Sequence, residues 1–170
     1  MDLKQKIANI PDWPEKGVIF RDITPLLADK EAFKYMIDKM AEPYLDNPPD
    51  IVVGIDARGF IMASALAYRL GLGLTIIRKA GKLPRTTVKK EYILEYASNT
   101  IEMHEDAIQK GQKVLLVDDV LATGGTMSAT IELVEKLGGE IMSVDFLIVL
   151  KFLKGEEKIK YPIKYLIAYE

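Results

Sequence analysis

VLLVDDVLATGGT, Val114 to Thr126, decides the fold. An apolar run ends in two acids, Asp118 and Asp119, and a loop of small residues, Ala122-Thr123-Gly124-Gly125-Thr126, opens directly into a helical pattern. This is the layout of an open α/β sheet, which binds ligands at the carboxyl ends of its strands. Small residues let successive backbone amides turn toward one point, and the helix start adds free N–H groups with a favourable dipole, so the loop suits a phosphate monoester. Thr123 and Thr126 add hydroxyl donors, and carboxylates are suitable acceptors for both hydroxyls of a ribose. The stretch therefore reads as a ribose 5-phosphate clamp. It is not a Walker loop, because no lysine closes the turn, and not a dinucleotide fingerprint, because the acids precede the glycines. The residues alone leave a plainer reading open, in which Gly124 and Gly125 form a tight turn and the acids cap it. A generic glycine turn, however, needs no acid pair.

Working outward, IVVGI at 51–55 and the run from Ile141 to Leu150 are short, aliphatic and bounded by turn residues, as buried parallel strands are. Helical patterns separate the strands. Phe33, Met36, Ile37, Met40 and Tyr44 recur at threes and fours after Asp29, a plausible N-cap, and the repeat stops before Asn47-Pro48-Pro49. Ile61, Ala65, Leu66 and Leu70 give a second helix ending at Gly71, and a third runs from about Gly125 to Leu137 and closes on Gly138-Gly139. The fold class expected is α/β, a central mostly parallel sheet flanked by helices on both faces. Residues from Ala80 to about Thr100 break this rhythm: KAGKLPRTTVKKEY is basic and polar, and EYILEY alternates as a short hairpin strand. A long irregular insertion in such a domain reads as a lid.

The 170 residues fit one domain, 1–170, and the absence of cysteine excludes disulfide, thiolate-metal and cysteine-nucleophile chemistry. MDLKQKIANI does not read as a secretory signal, and there is no apolar stretch of membrane-spanning length. With 23 basic and 25 acidic residues, the formal charge of −2 gives no general drive toward nucleic acid or anionic lipid. The expectation is a cytoplasmic protein with neither as a partner.

Four further segments accompany the loop: PDWPEKGVIFRDITPLL at 11–27, GIDARGF at 54–60, IRKAGKLP at 77–84 and LEYASNTIEMHEDAI at 94–108. Together, and in this order, they resemble the type I phosphoribosyltransferases, specifically the adenine branch, where the loop typically reads DDLLATGGT. A lone TGGT would not carry that resemblance. Departures are small: Ala80 stands where proline or another residue is common, Ala97 replaces the glycine of LEYG, Val120 a leucine and Asp56 a frequent glutamate.

The resemblance implies the type I fold with a flexible hood over about 80–100. The implied activity is purine salvage, with transfer of the 5-phosphoribosyl group of phosphoribosyl pyrophosphate to N9 of adenine, giving AMP and pyrophosphate. Loop residues 122–126 would hold the 5-phosphate, and Asp118 and Asp119 the ribose hydroxyls. Ala57, Arg58 and Gly59 match the pyrophosphate loop, where a strained peptide exposes backbone N–H and the arginine contacts the diphosphate; the residues alone also allow a surface arginine paired with Asp56. Ile19, Phe20 and Arg21 match one side of the base pocket, and Leu150 its opposite face; without the resemblance, Phe20 and Leu150 are plain core residues. Arg78, Lys79 and Lys82 would place positive charge over the diphosphate, against the plainer reading of a solvated basic face. Glu95 and Tyr96 match the end of the hood, with Glu95 handling a proton on adenine. The implied catalytic set is Glu95, Arg58, Asp118 and Asp119. Mg²⁺ would be carried mainly by the substrate, with no dedicated protein cage, and the assembly would be a homodimer. His104, the one histidine, sits in an ordinary strand end or turn and is not expected to be catalytic. A non-catalytic regulator with the same pocket would normally add a DNA-binding domain or a basic face, and this sequence shows neither.

Overall fold

Near the N-terminus a small antiparallel pair stands apart from the main sheet: β1 (Ala8–Pro11) aligns Ile10 with Phe20 and Asn9 with Arg21 of β2 (Ile19–Asp22). The computed structural model describes residues 1–93 and 97–170. A short helix, α1 (Thr24–Ala28), leads into α2 (Lys30–Ala41), whose N-cap is Asp29; its carboxylate accepts from the amides of Glu31 and Ala32 at 3.0 Å. The remaining elements are β3 (Ile51–Ile55), α3 (Gly59–Leu70), β4 (Gly73–Lys79), β5 (Thr87–Ile93), β6 (Ser98–His104), β7 (Lys113–Leu121), α4 (Gly125–Lys136), β8 (Glu140–Leu150) and β9 (Ile163–Tyr169). Among the described residues they form a seven-stranded sheet of order β5-β6-β4-β3-β7-β8-β9, parallel from β4 to β9 and antiparallel at the β5-β6 edge.

The apolar run of β7 is continuous because both of its faces are covered. Leu115 and Val117 join α2 and α3 in one core, whereas Val114 and Leu116 join α4 in the other. The helix α3 ends as expected, with Gly71 at φ 70° accepting the left-handed C-terminal turn. Its buried face is Gly59, Met62, Ala63, Leu66 and Ala67, and Ile61 lies 38% exposed. No helix among the described residues is long and apolar enough to cross a membrane.

The insertion at 80–100 is not a long irregular excursion. β5 and β6 pair along seven residues, from Thr87–His104 to Ile93–Ser98. Val88, Lys90 and Tyr92 are partly covered while Lys89, Glu91 and Ile93 are exposed. Lys90 Nζ lies 2.6 Å from Glu132 on α4. The period of two was masked in the sequence by lysines and a glutamate, which stay on a strand because α4 or solvent satisfies them.

Candidate active site

β3 crosses through α3 to β4 on one side, and β7 crosses through α4 to β8 on the other, so the direction of winding reverses between β3 and β7. At such a point the loops leaving the carboxyl ends diverge and open a crevice. The residues expected to bind substrate gather along this edge: Ala57 and Arg58 after β3, Lys79 at the end of β4, the 122–126 loop after β7 and Leu150 at the end of β8.

Gly124 is the N-cap of α4, at φ 86°, and the first helical backbone bond runs from the Ser128 amide to the Gly124 carbonyl. The amides of Gly125, Thr126 and Met127 therefore have no carbonyl behind them and point out of the helix. Ala122 to Met127 line a concavity of ≈ 80 Å³ that also includes Asp118. The Met127 amide lies one residue beyond the loop expected from sequence. A brace was missed altogether: Gly155 packs so closely on the loop that a Cβ there would collide with the Ala122 carbonyl and come to 3.1 Å from the Gly124 amide.

Asp119 shares the parity of Leu115 and Val117, the side of the sheet that faces α3, and so meets the residue at the foot of that helix. Its Oδ2 is 2.7 Å from Arg58 Nε, close enough for an ion pair although its angle is not that of a hydrogen bond. The alternative pairing of Arg58 with Asp56 is not what forms, since Asp56 holds Arg78 at 3.1 Å. The Arg58 guanidinium also lies 4.8 Å from the centre of the Phe20 ring, which brings the small β1-β2 sheet to the crevice. The peptide Asp56–Ala57 is cis. Gly59 is obligatory here, because a Cβ would stand 2.7 Å from Asp118 Oδ1 and 3.2 Å from the Val117 carbonyl.

Burial, and then the charge of Asp119, push the Asp118 carboxyl well above the ordinary carboxylate value of 3.8. A raised folded-state pKa contributes stability that is fully present below 3.8 and lost as pH rises through the raised value. Asp118→Asn removes that loss. At pH 7 the variant is expected to melt a few degrees higher than the wild type, with a raised KM for the sugar donor, and thermal melts at pH 4 and pH 8 should show the gap widening with pH.

In the small sheet, β2 has no strand partner on its second edge among the described residues. Alternate amides and carbonyls of Ile19 to Asp22 face away from β1 and are available to a planar ligand edge. The Arg21 side chain is engaged elsewhere: its guanidinium stacks 3.8 Å from the centre of the Tyr169 ring and its Nη1 donates to Asn9. Phe20 is not a core residue: it is half-buried, meets Trp13 edge-on at 4.5 Å and, with Ile10, Trp13 and Asp22, lines a cavity of ≈ 280 Å³. Leu150 is half-buried against the α2/α3 core.

Glu102 on β6 is the second residue that the sequence concealed. It is 1% exposed, and its Oε1 accepts from the consecutive amides of Gly81, Lys82 and Leu83 at 3.0 to 3.1 Å, while Thr87 Oγ1 donates to Oε2 at 3.2 Å. Burial raises its pKa, but the Leu83 amide, Thr87, the Gly81 amide and the Lys89 charge outweigh it and hold the carboxyl below 4.5. That contribution to stability is present above 4.5 and lost as pH falls through the lower folded value. Glu102→Gln is expected to cost about 1–2 kcal/mol in urea unfolding at pH 7, where charge-assisted bonds are lost, and progressively less toward pH 3. Lys79 and Lys82 stay exposed on either side of this anchored turn. His104 accepts from the Arg85 amide at 3.3 Å, a loop-fastening contact at the end of β6. Glu95 and Tyr96 lie outside the described residues.

Among the described residues no three His, Asp or Glu side chains converge as a metal cage. With Asp119 already facing Arg58 and Asp118 disfavouring charge, this donor set fits a cation that arrives with a polyphosphate and keeps its waters.

The Phosphoribosyl transferase domain family matches residues 26–168. The adenine phosphoribosyltransferase of Thermotoga sp. (strain RQ2) is 56% identical, covering 99% of this chain and 100% of the relative. Among solved structures, adenine phosphoribosyltransferase from Thermoanaerobacter pseudethanolicus superposes with a TM-score of 0.95 at 47% identity, covering 98% of each chain. The Saccharomyces cerevisiae enzyme, complexed with an imino-altritol bisphosphate and adenine, gives 0.90 at 37% identity over 95% of this chain and 94% of that one. Near-complete coverage at such identity joins the geometry of the crevice to one conclusion: this chain belongs to the adenine phosphoribosyltransferases of the type I phosphoribosyltransferase family.

Proposed function

We infer that this chain transfers the 5-phosphoribosyl group of phosphoribosyl pyrophosphate to N9 of adenine, giving AMP and pyrophosphate in purine salvage. The observation that carries this is the convergence, across one crevice, of an amide-rich loop at 122–127 with an arginine held 2.7 Å from the acid pair of the same strand end. The 5-phosphate lies on the amides and hydroxyls of Ala122 to Thr126, and Asp118 and Asp119 accept from the ribose hydroxyls. That ligand also relieves the acid pair, since each donated O–H disperses charge that burial penalises.

Adenine sits beside Phe20, its edge read by the open backbone of Ile19 to Arg21, with Leu150 on its other face. Ala57 to Gly59 receive the diphosphate, toward which Arg58 turns one edge of its guanidinium while Asp119 holds the other. Lys79 and Lys82, on the turn anchored by Glu102, add positive charge. The displacement at ribose C1 passes through a sugar with oxocarbenium character, and these residues act by orientation and by stabilising the departing charge. Glu95 and Tyr96 are assigned to the adenine side, with Glu95 exchanging a proton with the base. Mg²⁺ brought in with the substrate would supply charge neutralisation to the departing diphosphate, and no carboxylate of the described residues is assigned as its cage. A homodimer is proposed on the family resemblance and is checked by sedimentation equilibrium. Cytoplasmic residence, with neither nucleic acid nor membrane as partner, is proposed from composition, because a formal charge of −2 attracts no polyanion in general.

The test is pyrophosphate release with phosphoribosyl pyrophosphate and Mg²⁺, comparing adenine with hypoxanthine, guanine, xanthine and orotate. Turnover with adenine alone is expected. Turnover with another base alone would overturn the assignment of Ile19 to Arg21 and Leu150, and tight donor binding without turnover would favour a regulator.

A further inference from the structure

We propose that Tyr92 is a positioning residue for the 5-phosphate, acting through Thr126: its hydroxyl donates to Thr126 Oγ1 and so turns the single proton of Thr126 toward the phosphate. The inference rests on the reading of 122–126 as the 5-phosphate loop. Tyr92 belongs to β5, within the insertion whose expected part in the reaction was charge and closure over the diphosphate, not the sugar phosphate. Yet its hydroxyl lies 3.0 Å from Thr126 Oγ1, and its ring passes 3.5 Å from where a Cβ on Gly125 would stand. The strand that carries it is held on two sides, by full pairing with β6 and by the ion pair of Lys90 with Glu132 on α4. The contact is therefore part of a built surface.

In that geometry either oxygen can be the donor. A bound phosphate removes the ambiguity. Thr126 has one proton, and a dianionic phosphate is a far stronger acceptor than a phenol oxygen, so Thr126 donates to phosphate. Its oxygen is then free to accept, and the phenol, more acidic than an aliphatic alcohol, supplies the proton. A chain of two hydroxyls ending on an anion polarises along its length, so the Thr126 bond is stronger with Tyr92 behind it than alone.

The experiment compares Tyr92→Phe, Thr126→Val and the double variant. It measures KM for phosphoribosyl pyrophosphate at saturating adenine, with inhibition by ribose 5-phosphate and, separately, by pyrophosphate. In Tyr92→Phe, KM and the ribose 5-phosphate inhibition constant are expected to rise about fivefold, the size of one neutral hydrogen bond, with kcat and pyrophosphate inhibition within about twofold of wild type. In the Thr126→Val background, loss of the Tyr92 hydroxyl is expected to change nothing further. Lys90→Ala, which loosens the same strand without touching Thr126, is expected to leave the ratio of the two inhibition constants as in wild type. Equal losses from Tyr92→Phe in both backgrounds, equal losses for both inhibitors, or a Lys90→Ala profile matching Tyr92→Phe would each overturn the proposal. If Thr126→Val weakens ribose 5-phosphate but Tyr92→Phe does not, the proposal alone fails. If Thr126→Val is silent, the 5-phosphate assignment of that hydroxyl fails with it.

Discussion

Replacing Arg58 by alanine lowers kcat/KM for phosphoribosyl transfer about 10²- to 10³-fold, the usual consequence of removing one donor aimed at developing charge. Most of the loss should appear in kcat, because the diphosphate becomes a better acceptor as the bond to C1 breaks. Arg58→Lys is not expected to restore it. Arg58 presents a flat fork held from two sides, by Asp119 at 2.7 Å and by the Phe20 ring at 4.8 Å, and an ammonium reproduces neither the fork nor the stacking. The substitution also strips Asp119, itself 6% exposed, of its counter-charge. Since the Arg58 side chain is 38% exposed, solvent moderates that penalty, and unfolding stability should fall by about 1 kcal/mol. Steady-state pyrophosphate release set beside urea unfolding separates the two roles. A loss of stability with activity kept within tenfold would make Arg58 a structural partner of Asp119 and nothing more.

Gly155→Ala is the second large effect, and it falls on a residue with no place in the chemistry. The added methyl would drive into the Ala122 carbonyl and against the Gly124 amide, both of them backbone, so no side-chain rotation relieves it. Gly124 cannot retreat easily, because it is itself in the left-handed region at φ 86° and carries the first turn of α4. The expected cost is about 3 kcal/mol of stability, as for overpacking a tight site. The KM for phosphoribosyl pyrophosphate should rise well beyond any change in that for adenine. Loss of affinity for both substrates in equal measure would mean that the whole crevice had collapsed and that the brace is not specific to the phosphate loop.

Sequence made some of this legible and hid the rest for identifiable reasons. β7 and its loop were readable because strand, acids, glycines and helix lie consecutively, and their chemistry is local. Asp29 and Gly71 were readable as helix ends for the same reason. The inward face of α3 was not, because GFIMASALAYRL is apolar on nearly every side and contains no polar stripe to orient it. β4 and β9 escaped notice as strands, since Arg78 and Lys79 close the apolar run of β4 and Lys164 breaks that of β9, its ammonium satisfied by Tyr44 and Ser143. Glu102 looked like any surface acid in IEMHED; only the approach of three amides from residues 81–83 makes it a buried anchor. Gly155, in the polar turn KFLKGEEK, has a meaning set entirely by a loop some thirty positions earlier.

The brace at Gly155 also sets a timetable. During synthesis the loop proposed to hold the phosphate, 122–127, emerges well before the glycine it leans on, and before β9, which pairs with β8 only afterwards. A domain generally folds as a unit, and contacts between distant positions form late. A nascent chain halted after α4 thus contains the whole of the proposed phosphate loop without the Gly155 surface packed against it. A ligand that needs the finished cradle therefore stabilises the completed domain and not the nascent chain.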